Sequence, residues 1–444
     1  MTAGATKPWP TLTSREEFRF LSELVLKHSA GEHTLVSLHD HRTGTTRFAN
    51  NQVVQNVDTR RGLFTVTVAF GRRHGTASTT DFTAGAVQET LKRAEAIARV
   101  SPEDAEYLPP VGPQWFPALP TSRAETAAAG PSRRLDLAQT AIEAVTAEEF
   151  SCAGIVSSAV HAVGVAAGTG LSAYEERTDA RFSITVQAGD ATGWAAAAHR
   201  SIDHLQVRER TQIAIEKARL SVDPREVPAG RYTVILESAA VAGLLSWLMW
   251  TLDAKSYDKG TSPFAGKLGT RVVDPRLTLR NCPDHFDLLG AGFTSEGLPG
   301  GESLWIEAGV LKNLLHDRFT AKAHGLATIP MLDAPLLSGD ESAVEDLIAS
   351  TPRGILVTNF WYLRVVNPTD LTLTGMTRDG TFLIEDGRIV SGLRHFRFHE
   401  SPLRAFNQLD AFTAPAEATT AETGKLLVPA MRVNDFNFSS VTRF

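Results

Sequence analysis

The stretch Asp223-Pro224-Arg225-Glu226-Val227-Pro228 separates two different kinds of sequence. Two prolines and three charges end a helical pattern there, so residues 1–222 and 223–444 are read as two domains. Upstream, strands and helices alternate. A hydroxyl cap and acidic residues at Thr13-Ser14-Arg15-Glu16 open a helix whose apolar positions are Phe18, Leu21, Leu24 and Val25. Strands are expected at 34–39, 52–58 and 63–70, with turns at 41–44, 50–51 and 71–73, and a second helix at 83–100. Residues 101–133 carry Pro102, Pro109, Pro110, Pro113, Pro117 and Pro120 and are read as an extended connection between two modules. The second module repeats the logic in a different order, with a helix at 134–150, strands near 154–166, 172–178 and 181–188, and a helix at 201–220.

Downstream of Pro228 the strand runs are short and separated by Gly/Pro/Asp turns: 232–236, 277–280, 304–307, 355–360, 382–385 and 426–433. Helices are few (238–252, 320–324, 341–350, 403–412), and Ala414–Thr423 is read as a low-complexity loop. The fold class is therefore α+β, an N-terminal sandwich-like domain of mixed sheets and helices followed by a β-rich domain.

Composition bounds the function. The chain has 444 residues, a net charge of −6 and 43% hydrophobic residues, as in ordinary globular proteins. An acidic balance argues against nucleic-acid binding. The most apolar run, Ala239–Leu252, is too short for a membrane span of about 20 residues. No apolar leader precedes Pro10. With two cysteines, Cys152 and Cys282, and no disulfide framework, the cytoplasm is the expected compartment, and both thiols are read as structural.

Thirteen histidines are available, yet no His-Glu-x-x-His occurs. Pro402 breaks any helix after His399-Glu400. His39-Asp40-His41 sits at a strand end where neighbouring side chains point to opposite faces, and neither His199/His204 nor His316/His324 has the spacing of a metal face. No Gly-x-Ser-x-Gly elbow or P-loop is present, and Gly290-Ala291-Gly292 is a turn.

The linear order of segments from Ala229 onward carries more information: Ala229-Gly230-Arg231-Tyr232-Thr233-Val234-Ile235-Leu236-Glu237-Ser238, Gly260-Thr261-Ser262-Pro263-Phe264, Ser295-Glu296-Gly297-Leu298-Pro299, Leu315-His316-Asp317-Arg318-Phe319 and Thr374-Gly375-Met376-Thr377-Arg378-Asp379-Gly380. This succession resembles the TldD/PmbA metallopeptidase family, and Phe48-Ala49-Asn50-Asn51 and Gly75-Thr76-Ala77 resemble its first sheet. The resemblance covers nearly the whole chain. It implies a zinc site on a helix carrying His-Glu-x-x-x-His, with a cysteine near the C-terminus. Counted back from Gly260, those positions are Leu245, Ser246 and Trp250 here, and no cysteine follows Cys282. Zinc needs imidazole, thiolate or carboxylate donors. The chain is therefore identified as similar to the PmbA/TldE-type members that lack the zinc motif.

The resemblance then implies a non-catalytic subunit without a cofactor of its own. It would pair as a heterodimer or larger assembly with a TldD-like partner that carries the zinc, and would act on small peptides or unfolded segments bound as an added strand. Alone, it could form a homo-oligomer. Glu296, Arg318, Arg378 and Asp379 are expected near a groove of the second domain, and Phe360-Trp361-Tyr362-Leu363 on a strand with both faces covered. An autonomous amide hydrolase or N-deacetylase without zinc, or a free-standing peptide-binding module, remain alternatives.

Overall fold

The computed structural model describes residues 11–420 and 424–442. The first half repeats one pattern twice: α1 (Arg15–His28), β1 (His33–Ala49), β2 (Gln52–Phe70), β3 (Arg73–Thr79) and α2 (Ala84–Val100); then, after the short helix α3 (Ala124–Ala127), α4 (Pro131–Thr146), β4 (Ser151–Ala167), β5 (Ser172–Ala188), β6 (Ala191–His199) and α5 (Val207–Leu220). The order of elements is thus the same in both modules, not different. The repeat is invisible in sequence because it is one of topology, not of residues. Ser14 and Glu17 form a reciprocal capping box on α1.

The strands are longer than periodicity indicates. Residues 52–58 and 63–70 belong to the single strand β2, and the expected turn at 41–44 lies inside β1. Polar residues do not break β1 because it is paired along both edges, with β2 and with β4. The six strands form one antiparallel sheet in the order β3-β2-β1-β4-β5-β6.

Alternation sends Val36, Leu38 and Phe48 to one face. There α1 and α2 cover one half of the sheet, and α4 and α5 the other. Gly164 and Gly154 let the rings of Phe18 and Phe48 lie on β4, since a Cβ would stand 2.6 Å and 2.4 Å from ring carbons. The opposite face is covered in part by the proline-rich connection, through Val111 and Phe116, and by Phe293 from the second half.

The second half contains β7 (Gly230–Leu236), α6 (Ser238–Trp250), α7 (Ala254–Asp258), β8 (Leu279–Asn281), β9 (Ser303–Glu307), β10 (Val310–Leu311), α8 (Arg318–Ala323), β11 (Pro335–Leu337), α9 (Val344–Ala349), β12 (Arg353–Asn367), β13 (Thr372–Glu385), β14 (Arg388–Gly392), β15 (Phe396–Glu400), α10 (Pro402–Ala405), β16 (Leu409–Thr420) and β17 (Gly424–Val441). Because β17 pairs with both β15 and β7, the ribbon β7-β12-β13-β15-β17 closes on itself. The stretch expected as a loop from Ala414 is strand β16, paired to β17 from Leu409 to Thr420; residues 421–423 lie outside the described residues. Small alanines, which lower apparent complexity, suit its close pairing.

Helix α6 is apolar on every side and packs against β12, β16 and β17. Phe360 and Leu363 are buried while Trp361 and Tyr362 are 47% and 54% exposed, so the four-residue run does not have both faces covered. A bulge explains this. Tyr362 has φ +58° at a register shift between Trp361 and Arg364, which turns the two aromatics outward.

No strand is shared between the two sheets among the described residues; besides the apolar contact of Phe293, the halves meet through polar contacts. The Arg200 side chain is buried and donates to three carbonyls: Leu288 at 3.1 Å, Thr121 at 3.1 Å and Gly290 at 2.7 Å. Burial lowers its guanidinium to about 10, against a favourable Glu175, so it stays charged at neutral pH. Glu417 accepts from the Ala198 backbone at 2.5 Å and pairs with Arg210, while the buried Lys425 ammonium donates to the Ala198 carbonyl. Among the described residues no helix is long and apolar enough to cross a membrane.

Replacing Arg200 leaves the buried Leu288 and Gly290 carbonyls without their donor, at about 1–3 kcal/mol each where water cannot reach them, while the Thr121 carbonyl keeps the Thr178 N–H at 2.9 Å. Arg200→Met is expected to lower the urea midpoint by the equivalent of about 3 kcal/mol or more; an unchanged midpoint would refute the bridging role. The same junction holds His199, whose imidazole is lowered to about 4 by burial, then by Lys425 and His204. The unfolded chain then binds more protons than the folded one below the free-histidine value of about 6.5. Stability is therefore full above that value and falls as pH drops toward 4. A urea midpoint that stays flat across this window would contradict the buried neutral state.

Candidate functional site

Helix α6 presents none of the donors a zinc face needs. Leu245 is 1% exposed and Ser246 fully buried in the second-half core. The Ser246 hydroxyl donates to the Ala242 carbonyl one turn back at 2.7 Å and lies 3.5 Å from Thr420 Oγ1. Trp250 is half exposed, its ring edge-on to Trp247 at 5.0 Å. The residues present do not fit the metal, and no chemistry is routed through these positions.

Past the C-terminal end of α6, charges from both halves converge. Lys255 on α7 reaches Glu106 of the proline-rich connection at 2.7 Å and Asp317 at 2.8 Å. Asp317 also caps α8 through the Thr320 backbone at 2.7 Å. Burial pushes the Asp317 carboxyl up, but Lys255 and the Thr320 donors outweigh it and hold it at about 2.

Beside this knot lies a cleft of about 400 Å³ whose lining includes His33, His74, Glu106, Tyr107, Glu296 and Arg318. Arg318 donates to the Pro109 carbonyl at 2.5 Å. His74 contacts Asp104 at 3.1 Å and stacks on Tyr107, and Thr67 and Thr76 hydrogen-bond each other at 2.9 Å. The lining therefore offers charges of both signs and an aromatic wall. The Thr67 and Thr76 hydroxyls are engaged with each other and the His74 imidazole with Asp104, so these groups are not arranged as nucleophile and base.

The four sequence-selected groove residues are placed as two pairs. Glu296 and Arg318 line this cleft. Arg378 and Asp379 lie on β13, where Arg378 pairs with Asp379 at 3.4 Å and stacks on Trp361 at 4.5 Å. The buried Asp379 also accepts from Thr192 of β6 at 2.9 Å, tying the halves together. Sequence reasoning missed that the cleft is completed by the first domain and the connection, because its second-domain loops carry no signal of what packs on them.

It also set aside His39 and His41 as facing apart. Residues two apart share a strand face, and both rings stack with His161 of β4. Of the other histidine pairs, His199 stacks on His204, and His324 meets His316 edge-on while bonding Asp258 at 2.8 Å. Burial pushes the Cys152 thiol up to about 11 and raises Cys282 as well, in keeping with structural thiols. The Gly290–Gly292 turn docks the domains: Gly290 accepts from Arg200, and Gly292 donates to Glu175 at 3.1 Å.

Three family models match the chain: the PmbA/TldA metallopeptidase domain 1 over residues 36–98, its central domain over 125–222 and its C-terminal domain over 229–440. Metalloprotease TldD homologs of Buchnera aphidicola from Acyrthosiphon pisum and from Schizaphis graminum are 26% identical over 226 residues and 24% over 216. These alignments cover 47% and 45% of this chain, and 45% and 44% of the relatives, so the match spans less than half the relatives' length. Among solved structures, TldE from Thermococcus kodakarensis superposes with a TM-score of 0.85 at 18% identity, covering 96% of this chain and 99% of that one. A Thermotoga maritima protein described as a candidate modulator of DNA gyrase gives 0.84 at 20%, covering 95% and 99%. These likenesses are of fold.

Asp317→Ala is expected to cost about 1 kcal/mol, the ordinary worth of a helix cap, read as a lower urea midpoint at pH 7. Because the folded carboxyl lies below its unfolded value, that contribution is present above about pH 4 and fades as pH falls toward 2. Equal midpoints for the variant and the parent at pH 7 would remove Asp317 from the knot.

Proposed function

The chain belongs to the PmbA/TldD metallopeptidase family, and we propose that it serves as the zinc-lacking, TldE-type subunit of a two-chain peptidase acting on small peptides or unfolded segments. The observation that carries this reading is α6: Leu245, Ser246 and Trp250 stand at the zinc-motif positions and are built into core packing or ring stacking. In this reading the zinc and the hydrolysis belong to a TldD-type partner. This chain contributes a wall of the substrate chamber, and the mixed-charge cleft around Glu296 and Arg318 holds polar peptide. The exposed Trp361 and Tyr362, with Val365 and Val366 39% and 52% exposed on the same strand, support a covered face, since aromatics are enriched at interfaces.

The test is reconstitution. The chain is mixed with a TldD-type sister chain carrying His-Glu-x-x-x-His, followed by size exclusion with light scattering and by hydrolysis of an unstructured peptide. A heteromeric peak whose peptidase activity exceeds the sum of the separate chains is expected. The double variant Trp361→Glu/Tyr362→Glu is expected to stay within about 0.5 kcal/mol of the parent in stability, as surface changes do, yet to lose the heteromeric peak. Cleavage by this chain alone, without any association, would favour the autonomous amide hydrolase instead.

A further inference from the structure

On the face of the first sheet opposite the helices, three imidazoles stand together. His39 and His41 alternate on β1, and His161 lies on β4 directly across from His41. One ring nitrogen from each falls within 4.8 Å of the others, and His39 Nε2 is 3.3 Å from His161 Nδ1. In a tetrahedral zinc site with bonds of about 2.0–2.1 Å, two ligand nitrogens stand about 3.3–3.4 Å apart. The His39–His161 spacing already matches that edge. The widest separation exceeds it by about 1.4 Å at most, which rotation of one imidazole about its χ angles can close.

The surroundings orient the donors. His161 Nε2 is 3.0 Å from Asp179 Oδ2, and Asp179 is itself held by Arg181 at 3.3 Å. Donation of Nε2–H to this carboxylate leaves Nδ1 with a lone pair aimed at His39 and His41, the carboxylate–histidine arrangement found behind metal ligands. His41 Nδ1 is buried and has no hydrogen-bond partner, the condition of a nitrogen that lacks its acceptor or its ion. The cluster is reachable, because His39 and His41 line a cavity of about 760 Å³ with Arg60, Arg61, Asp81 and Phe82. Arg61 lies across from His41 and Arg177 across from His161. Arg177 is neutralised by Glu175, which leaves Arg61 as the main opposing charge.

We propose that His39, His41 and His161, with Asp179 orienting His161, form a site for a divalent late transition metal ion, zinc foremost, whose fourth position opens on the cavity. Three neutral nitrogen donors without thiolate or carboxylate in the inner set suit zinc, cobalt, nickel or copper and not magnesium or calcium. The site is separate from the zinc-motif positions on α6 and from the subunit role, and it revises the expectation of a chain without metal of its own.

The experiment uses the full chain, stripped with a chelator and dialysed, and titrated with Zn²⁺ by calorimetry and with Co²⁺ by visible absorption at pH 7.5. One ion per chain and a tetrahedral Co²⁺ band are expected. His39→Ala and His161→Ala are each expected to weaken binding roughly tenfold or more, and Asp179→Asn about 10–100-fold. His324→Ala, in the separate His316/His324 pair, is expected to bind as the parent does. His161→Gln keeps a donor for Asp179, so its circular dichroism and urea midpoint separate loss of a ligand from loss of fold. Zinc affinity unchanged in His39→Ala and His161→Ala, or no stoichiometric binding at about 100 µM Zn²⁺ (an ion at 100 times its Kd adds about 2.7 kcal/mol of stability), would overturn the site and leave the subunit reading standing.

Discussion

One buried guanidinium holds the two halves of this protein in register. Arg200, just past the end of β6, gathers carbonyls from the connection (Thr121) and from the second half (Leu288, Gly290). Buried carbonyls cannot be left without donors, and the planar fork of arginine serves several at fixed angles. Around it, Glu417 and Lys425 clamp the Ala198 backbone from both sides, and Asp379 reaches Thr192. Every one of these contacts involves β6 or the residue that follows it. The edge of the first sheet is thereby covered by the second half and cannot recruit another strand.

The second constraint is α6. A helix apolar all round needs cover on most of its surface, and β12, β16 and β17, with β7 and α10, pack on it up to the half-exposed Trp250. Leu245 and Ser246 are set into that packing, with the Ser246 hydroxyl turned back onto the Ala242 carbonyl. With leucine and tryptophan along its length, this helix is a structural pillar of the second half. Charged chemistry is displaced past its C-terminal end, to Lys255, Asp317 and the cleft.

The first sheet divides its two faces between stability and access. The helical face carries the large apolar cores. The other is covered where Val111, Phe116 and Phe293 lie on it and open where His39, His41 and Leu63 emerge, Leu63 being 46% exposed.

Local signals in the sequence determined much of this: the capping box of α1, the helical stripes and the apolar α6 could all be read residue by residue. Each depends on neighbours within a few positions, which propensity and periodicity report. Strand lengths did not, because β1 runs through the polar 41–44 stretch on the strength of pairing along both edges, one of them with β4 more than a hundred residues away. Nor did β16, whose alanine-rich text looks unstructured until β17 is paired beside it, nor the bulge that turns Trp361 and Tyr362 outward. The cleft of Glu296 and Arg318, the role of Arg200 and the meeting of His39 and His41 with His161 were decided by tertiary structure alone. They join residues distant in sequence, and hydrogen-bonded register between strands, not spacing along the chain, sets which side chains meet.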